Sequence, residues 1–512
     1  YWTARSWNEN KQASDWLAPQ WFEMGLLNRS DWIGQWIGSA FVGGAQTPVP
    51  APFMRNAFRL EKTVATARLY ATSLGVYECE INGQRVGDLE LAPGWTDYAK
   101  RVQYQTYDVA GLLQSGDNAW GAILGDGWYC GRVGWNSRQT YGDRPKFLAQ
   151  LEITFEDGTR QIIATDENWA YASGPIIEND LLAGEVYDAR HEISGWSTLA
   201  ADVNTKWQQT EVFPDPDIEI SAPLGPPVRA TQELSPIREP FKISVSPHNA
   251  TIFDLGQNIA GRVRLKVSGE SGTTIRLRYA EVLEGGPTAT EGPLYLDNLR
   301  SARCTDFYTL KGGGEEIWEP RFTFHGFRYV EITDFPGTLA ADAITGIVLH
   351  SDTPRTGDFE CSDELLNQLQ KNIDWGQRSN FLDIPTDCPQ RDERLGWAGD
   401  AQVFIRTAAW NRDVAGFFSE WARDTRDAQQ ADGSSPCVIP FLDGAGPRDG
   451  GPAWSDAAII CPWKVYLCYG DKRILQENYD VFQRFFDQQV ATSIHDVRPL
   501  SGFLGFGDWL AQ

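Results

Sequence analysis

Long apolar segments and an excess of basic residues are both missing from this sequence. One of the longest apolar runs, AAIICPW at 457–463, falls far short of the roughly 20 residues that span a lipid bilayer. The 45 lysines and arginines are outnumbered by 69 aspartates and glutamates, which gives a net charge of −24. Because such a surface repels phosphate backbones, the composition argues against nucleic acid as a partner, and the short apolar runs argue against a membrane. We therefore predict a soluble protein.

Metal-binding patterns of histidine and cysteine are also missing. The five histidines show neither HxH nor HExxH spacing, and the eight cysteines include no CxxC pair. The sequence therefore predicts no metal site of the catalytic or zinc-ribbon type. Cysteines that are mostly free thiols favour a cytoplasmic location, while a periplasmic or secreted one stays open, so the compartment is unknown.

The chain divides into a β-rich part and a helical part. Up to about residue 350, short alternating apolar runs are separated by glycine, proline, asparagine and aspartate, which is typical of β-sandwiches. Within this part, SGESG at 268–272 predicts a hairpin loop, and Gly326 predicts a β-bulge. Apolar residues then recur at helical intervals. We predict five helices, at 363–381, 400–410, 413–430, 455–470 and 472–492.

The stretch DCPQRDERLGWAGDAQ at 387–402 combines six charged residues with one proline, two glycines and Trp397. The tryptophan and the glycines are not typical of a solvent-exposed helix face, and a buried strand could not hold so many charges. The glycines and the proline predict an irregular loop that leads into a helix beginning near Asp400. Crowded carboxylates push one another's pKa values apart, so one of them can stay protonated near neutral pH.

A protonated carboxylic acid and an ionised carboxylate are the two catalytic groups with which most glycosidases cleave a glycosidic bond. In this loop the carboxylates are Asp387, Asp392, Glu393 and Asp400, and Trp397 would provide a platform on which a sugar ring stacks. The same side chains could instead form a surface ion-pair network, which stabilises a protein only slightly. The chemistry of these residues leaves both interpretations open.

The loop resembles the signature of bacterial α-L-rhamnosidases, glycoside hydrolase family 78. Further segments resemble that family in the same order along the chain, namely LLAGEVYDAR (181–190), FDLGQNIAGRVRLKV (253–267), PRFTFHGFRYVEI (320–332), PAWSDAAIICPWKVYLCYGDKRIL (452–475) and GDWLA (507–511). The resemblance covers essentially the whole chain. It favours the enzymatic interpretation and implies N-terminal β-sandwich domains, of jelly-roll or immunoglobulin-like type, followed by an (α/α)6 barrel.

The resemblance also divides the chain into domains. Residues 1–29 would be the last strands of an immunoglobulin-like domain, and 30–215 a carbohydrate-binding-like N-terminal sandwich. Residues 216–352 would form a second sandwich, and 353–512 the first part of the catalytic barrel. Since a closed barrel of this type has twelve helices and about five are predicted, we expect the barrel to be incomplete at its C-terminal end.

The implied activity is that of an inverting α-L-rhamnosidase, which removes terminal non-reducing α-L-rhamnose from glycosides, oligosaccharides or polysaccharides. By resemblance, Glu393 is the general acid, and Asp387 and Asp400 bind the hydroxyls of rhamnose. Arg391 lies near the sugar ring, and Trp397 lines the pocket. Two further tryptophans of the barrel mouth bind substrate, namely Trp454 and Trp509. For each tryptophan, ordinary core packing is the alternative.

The family's general base is a glutamate late in the barrel, so it is expected to lie outside this chain. The isolated chain is therefore expected to hydrolyse rhamnosides poorly or not at all. No cofactor is required, although the resemblance allows a calcium ion in a β-sandwich. The expected partner is a rhamnose-containing carbohydrate or glycoside, and a homodimer or association with the missing C-terminal part is also compatible.

Two alternatives to this function remain. In the first, the protein is a non-catalytic carbohydrate-binding module set, with its site in GDGWYCGRVGWNSRQTYGDRP (125–145) around Asp126, Trp128 and Trp135. In the second, the same helical barrel acts on another deoxysugar or on a uronic acid. Neither the aglycone nor the linkage follows from the sequence.

Overall fold

The computed structural model describes residues 1–202, 204–245, 248–495, 497–498 and 506. Nearly all strands lie before residue 352, and every helix longer than one turn follows residue 363. This order confirms the predicted sheet-rich N-terminal region and helical C-terminal part.

The strands are β1 Trp36–Gly38, β2 Pro52–Leu60, β3 Val64–Leu74, β4 Val76–Ile81, β5 Gln84–Arg85, β6 Arg101–Gln103, β7 Gln105–Asp108, β8 Gly116–Gly125, β9 Lys146–Phe155, β10 Arg160–Ala164, β11 Ala170–Ser173, β12 Ile176–Asp180, β13 Gly184–Asp188, β14 Gln208–Gln209, β15 Glu211–Phe213, β16 Glu219–Ser221, β17 Val228–Leu234, β18 Phe241–Val245, β19 His248–Ser268, β20 Thr274–Ala280, β21 Thr305–Thr309, β22 Glu315–Trp318, β23 His325–Thr333, β24 Ile344–Ser351, β25 Phe381–Leu382 and β26 Ile384–Pro385. The helices are α1 Gly127–Cys130, α2 Glu364–Asn380, α3 Ala398–Asn411, α4 Ala415–Ala428, α5 Ala457–Tyr469, α6 Arg473–Glu477 and α7 Tyr479–Thr492.

The first part of the chain forms two six-stranded sheets. One has the order β15-β1-β9-β3-β7 with β10 paired to β9, and the other has the order β14-β11-β2-β8-β4-β5. Their inward side chains make one apolar core, in which Trp120 of β8 and Phe147 of β9 meet edge to face at 6.5 Å between ring centroids. Alternating runs predict such a sandwich because successive side chains of a strand point to opposite faces.

A ten-stranded sheet follows, in the order β12-β13-β21-β20-β23-β19-β24-β17, with β18 and β22 also paired to β19. Strand β13 runs parallel to β21 and pairs Tyr187 with Tyr308. Strands from residues 176–188 thus join a sheet formed mostly by residues 228–351, across the boundary predicted at 215/216. The hairpin predicted at SGESG is wrong, because β23 lies between β19 and β20.

Gly326 of β23 brings this sheet close to the charged loop. Its pairing with Ala260 is continuous with the pairs on either side, and the irregularity lies instead in β19, between Asp254 and Ile259. The predicted bulge at Gly326 is therefore wrong. A Cβ at this position would lie 2.9 Å from the backbone nitrogen of Gln390. Only a glycine leaves enough room at this position, because the backbone of the charged loop packs directly against the strand.

Residues 1–29 form no strand of a regular sheet in this structure. Two isolated antiparallel bridges, Trp2 with Gln20 and Trp7 with Ala13, hold the segment in a loose hairpin. Most of its side chains are exposed. Alternating residues alone do not make a strand when no sheet covers them.

The first four predicted helices are confirmed as α2 to α5, while the fifth is divided into α6 and α7 at Asn478. The side chain of Asn478 donates to the carbonyl of Ile474 and is buried, which favours a break in the helix at this residue. Asp363 caps α2 by accepting from the backbone of Leu365. Among the described residues, none of the helices combines the length and apolarity needed to cross a bilayer.

A buried ion cluster joins β6, which pairs with β16 and lies next to β3 of the first sandwich, to the helices. Arg101 of β6 contacts three carboxylates, with 2.5 Å from Nη1 to Glu420, 2.6 Å from Nη2 to Asp424 and 2.7 Å from Nε to Asp427. All three acidic residues lie on α4. The cluster fixes α4 against the sandwich and therefore holds the helical part next to the sheets that complete the site.

Candidate active site

The charged loop runs from β26 to α3 and closes upon itself. The backbone nitrogen of Asp387 donates to the carbonyl of Leu395, and the Asp387 carboxylate accepts from the nitrogen of Leu395 at 3.1 Å. Gly396 follows, where a Cβ would lie 1.9 Å from the carbonyl oxygen of Ile439. These contacts give an irregular but tightly held loop, as the glycine and proline content predicted.

Arg394 anchors the loop to the sheets. The side chain is buried, and its Nη1 donates at 2.6 Å to the carbonyls of both Leu181 and Phe324. Its backbone has a φ of 57°, in the left-handed region. Arg394 positions the loop, because it donates to backbone carbonyls beside the ten-stranded sheet and to those of Arg391 and Gln390 in the loop itself.

Glu393 is held by three donors. Its Oε1 accepts from the indole Nε1 of Trp397 at 2.8 Å. Its Oε2 lies 2.8 Å from Nη2 of Arg391 and 3.2 Å from Nη1 of Arg300. The side chain is only 7% exposed, so its orientation is fixed before any ligand arrives.

Asp387 and Glu393 form a carboxyl pair. Their oxygens and the Cys388 sulfur lie within 4.8 Å of one another. Burial raises the pKa of Asp387 to about 7, and the charge and hydrogen bond of Glu393 add to the shift. At neutral pH the carboxyl group of Asp387 is therefore only partly ionised beside Glu393.

The same group of ligand atoms could hold a metal ion by distance alone. Arg391 already supplies a cation there, with its Nε 3.1 Å from the Cys388 sulfur and its Nη2 2.8 Å from Glu393. Burial also raises the pKa of the Cys388 thiol, which opposes the thiolate that a metal would bind. The residues present thus fit an arginine better than a metal.

Asp400 and Trp454 form the opposite wall. Burial of the carboxyl group within the concave site and the charge of Glu393 raise the pKa of Asp400, although part of the side chain remains exposed. Gly399 lets Trp454 lie against the first turn of α3, since a Cβ there would lie 2.8 Å from the indole nitrogen. Phe506 packs against Trp454 at 4.8 Å and against Trp397 at 5.7 Å, between ring centroids.

These side chains enclose a cavity of about 480 Å³. Its lining is Trp135, Arg300, Asp387, Arg391, Glu393, Trp397, Asp400, Gly446, Pro447, Trp454 and Phe506. The size and the mixture of aromatic walls with a few convergent polar groups are typical of small-molecule sites. Carboxylates and tryptophans alternate around the cavity, which suits a sugar ring that presents both hydroxyls and apolar C–H groups.

Six of the predicted site residues meet in this cavity, namely Asp387, Arg391, Glu393, Trp397, Asp400 and Trp454. Trp509 lies outside the described residues. Sequence reasoning missed Arg300 and Phe506, and it assigned Trp135 to a different site. Of the other two residues of that site, Trp128 is buried and stacks on Trp95, and Asp126 is buried against Arg138.

Comparison with known proteins identifies the family. Three family models match the chain in order: the α-L-rhamnosidase N-terminal domain at 62–232, the bacterial α-L-rhamnosidase concanavalin-like domain at 245–350, and the bacterial α-L-rhamnosidase 6 hairpin glycosidase domain at 354–512. The chain belongs to the bacterial α-L-rhamnosidase family. The charged loop lies in the segment matched by the glycosidase model, while Trp135 and Arg300 lie in the other two segments.

Relatives within the α-L-rhamnosidase family resemble the chain over nearly its full length. An α-L-rhamnosidase of Streptomyces avermitilis is 45% identical over 99% of this chain and 48% of its own length. The crystal structure of a Streptomyces avermitilis α-L-rhamnosidase complexed with L-rhamnose is 47% identical, with a TM-score of 0.85 over 91% of this chain and 44% of that one. That of the Dictyoglomus thermophilum α-L-rhamnosidase is 39% identical, with a TM-score of 0.88 over 96% and 55%. The chain spans about half the length of the curated relatives it matches.

Proposed function

We propose that the protein hydrolyses terminal α-L-rhamnosides and that Glu393 is the general acid that protonates the leaving oxygen. The observation that carries this proposal is the carboxyl pair of Asp387 and Glu393 inside an aromatic-walled cavity. Because burial raises the pKa of Asp387 to about 7, the pair can hold a proton next to Glu393 near neutral pH, which suits general acid catalysis at that pH. The family relationship and the rhamnose-bound relative support rhamnose as the glycone.

The remaining side chains have roles that follow from their positions. Asp387 and Asp400 would accept hydrogen bonds from rhamnose hydroxyls, and Arg391 would hold the Glu393 carboxyl group in place. Rhamnose has a methyl group where other hexoses have a hydroxymethyl group. The aromatic walls of Trp397 and Trp454 would cover this methyl group and exclude water from it. No step of this scheme requires a cofactor.

We propose an inverting course for the reaction. In an inverting glycosidase the two carboxyl groups stand about 6.5–9.5 Å apart, which leaves room for the attacking water. Asp387 approaches Glu393 within 4.8 Å, so it is too close to be that base. Its position fits a substrate ligand that lies next to the acid. Proton NMR of the first-formed anomer of rhamnose tests this step, and retention of configuration would contradict it.

We propose that residues 353–512 form part of an (α/α)6 barrel and that 30–215 and 216–352 are two sandwich domains. The match of 354–512 to a six-hairpin glycosidase model supports the barrel. The parallel pairing of β13 with β21 means that the two sandwiches share strands, so we expect them to unfold together rather than as separate units.

The experiment that tests the function compares two leaving groups in Glu393→Gln of the full-length protein. On p-nitrophenyl α-L-rhamnoside, we expect kcat/KM to fall by about 10²–10⁴, which is typical for loss of a general acid. On 2,4-dinitrophenyl α-L-rhamnoside the fall should be at least tenfold smaller, because that leaving group departs without protonation. Rhamnose binding, measured by calorimetry, should persist.

Glu315→Gln, an exposed carboxylate on β22, is the matched control and should leave both rates unchanged. Equal losses of Glu393→Gln on both substrates would show that Glu393 is not the acid. A wild-type protein that cleaves neither substrate would overturn the proposed function itself.

A further inference from the structure

A second, polar cavity lies next to the proposed catalytic one. It has a volume of about 440 Å³, close to that of the catalytic cavity. Trp135 lines both cavities, and the consecutive residues Arg300 and Ser301 line one each. The ring of Trp135 and the backbone that joins Arg300 to Ser301 therefore lie between the two cavities.

The Arg300–Ser301 segment ties the second cavity to the acid loop. Arg300 contacts Glu393, and the nitrogen and hydroxyl of Ser301 both donate to Asp392 at 3.1 and 2.6 Å. Arg300 has a φ of 56°, so the chain turns sharply here. One face of the turn is presented to the acid, and the other face to the polar cavity.

The position of Glu393 determines the direction in which the leaving group departs. A third cavity borders the site on the other side, where it shares Asp387, Asp400 and Trp454 with the catalytic cavity. Glu393 does not line that third cavity, whose walls include apolar side chains of α2 and α3 such as Ile373 and Phe404. A leaving group protonated by Glu393 on its Arg300 side would instead pass over Trp135 into the polar cavity.

Two arginines and one glutamate line the polar cavity together with hydroxyl and amide groups, and the buried Asp180 behind the lining balances the second arginine. Arg303 places Nη1 3.1 Å from Glu178, and Arg132 places Nη1 3.6 Å from Asp180. Ser137, an exposed residue, adds a hydroxyl group. Planar guanidinium and carboxylate groups bind vicinal hydroxyls in pairs, and the paired charges give no preference for an anion.

Resting on the proposed function, we infer that this cavity binds the sugar unit on the leaving-group side of the cleaved bond, and that this unit is a neutral glycosyl residue. The apolar face of this sugar unit stacks on the ring of Trp135, which is 47% exposed and therefore accessible to a ligand. Its hydroxyls bond to Arg303, Glu178 and Ser137. The N-terminal sheets thereby contribute substrate specificity to chemistry carried out by the helical part.

The test measures kcat/KM of the full-length protein on two substrates with the same rhamnose. One is p-nitrophenyl α-L-rhamnoside, and the other is a neutral rhamnosyl-glucose disaccharide. In Arg303→Gln we expect the ratio of the disaccharide value to the aryl value to fall about tenfold. In Ser137→Trp, which fills the cavity from an exposed position where folding is not at risk, we expect a fall of at least tenfold.

Glu315→Gln is again the control and should leave the ratio unchanged. A ratio that stays constant in both variants would overturn the inference. Preference of the wild-type protein for a rhamnosyl-glucuronate over the neutral disaccharide would overturn the neutral assignment. Both results presuppose that the wild type cleaves the aryl rhamnoside, so they are distinguishable from failure of the proposed function, in which no rhamnoside is cleaved.

Discussion

Trp397 donates its indole N–H to Glu393 at 2.8 Å, within a single loop and four residues apart. The tryptophan therefore has two tasks, because its ring also walls the cavity against Trp135 at 6.4 Å. A side chain that both orients the acid and contacts the ligand links catalysis to binding. Separating the two tasks by substitution shows which of them limits the reaction.

Trp397→Phe should lower kcat more than it raises KM. The phenyl ring keeps most of the wall but cannot donate to Glu393, and a hydrogen bond to a charged group contributes about 1.5–3 kcal/mol. We expect kcat to fall about 10-fold to 100-fold at nearly constant KM, measured on p-nitrophenyl α-L-rhamnoside. Trp397→Ala should also raise KM. Trp463→Phe, a half-exposed tryptophan of α5, is the matched control.

Asp387→Asn should move the alkaline limb of the rate profile. Burial raises the pKa of Asp387 to about 7, so this carboxyl group is mostly protonated below that pH and mostly ionised above it. We therefore expect kcat/KM of the wild type to fall above about pH 7. The variant lacks the group that titrates near pH 7, so the limb should shift to lower pH. Superimposable profiles from pH 4 to 9 would show that Asp387 does not set the limb.

Asp392→Asn serves as the control for that profile. Asp392 lies in the same loop and is buried, but its carboxylate accepts from Ser301 rather than from the carboxyl pair. We expect its limb to stay at the wild-type pH even if the maximal rate falls. A shift of equal size in both variants would mean that the charge of the whole loop, and not the pair, sets the profile.

Gly326→Ala should disable the site from outside the cavity. The added Cβ would lie 2.8–3.0 Å from three atoms of Gln390, so the acid loop must move. Since a misplacement of about 1 Å can reduce a rate 10²-fold, we expect a loss of that order in kcat. Stability should fall by about 1–3 kcal/mol through overpacking, measured by chemical denaturation. Gly111→Ala, where a Cβ meets no atom within 4 Å, should change neither.

The sequence identified the part of the site that is local. Asp387, Glu393, Trp397 and Asp400 lie within one short loop, so their composition raised the possibility of glycosidase chemistry and the family resemblance favoured it. Arg300 contacts Glu393 from a distant part of the chain, and no sequence motif indicates its left-handed backbone conformation. Contacts of this kind depend on how domains pack, and local sequence does not encode that packing.

Two local predictions within the sheets were wrong for a related reason. The period of two indicates that a segment is a strand, but it does not say which strand is its neighbour. SGESG joins two strands that are consecutive in sequence, yet β23 is inserted between them. Gly326 was assigned to a bulge because glycine in a strand indicates either a bulge or a close backbone approach, and here the approach of Gln390 is the cause.

Removal of the Arg101 cation should separate the sandwich from the helices. Arg101 is 1% exposed and neutralises part of the charge of Glu420, Asp424 and Asp427. Leaving buried charges without their partner costs about 3–5 kcal/mol. We expect Arg101→Met to lower the melting temperature of the helical part and to expose the α4 interface to proteolysis. Arg59→Met, at an exposed ion pair, should leave the melting temperature unchanged.

The pH dependence of Arg101→Met distinguishes lost charge pairing from lost packing. Burial already raises the pKa of Asp424 well above its ordinary value, although Arg101 opposes the shift. Without the arginine, the folded state of the variant should hold still more protons on these carboxyls than the unfolded state does. Its stability should then fall as pH rises from about 4, so the gap to the wild type should be larger at pH 8 than at pH 5. A gap that is the same at both pH values would assign the loss to packing, because apolar contacts do not titrate.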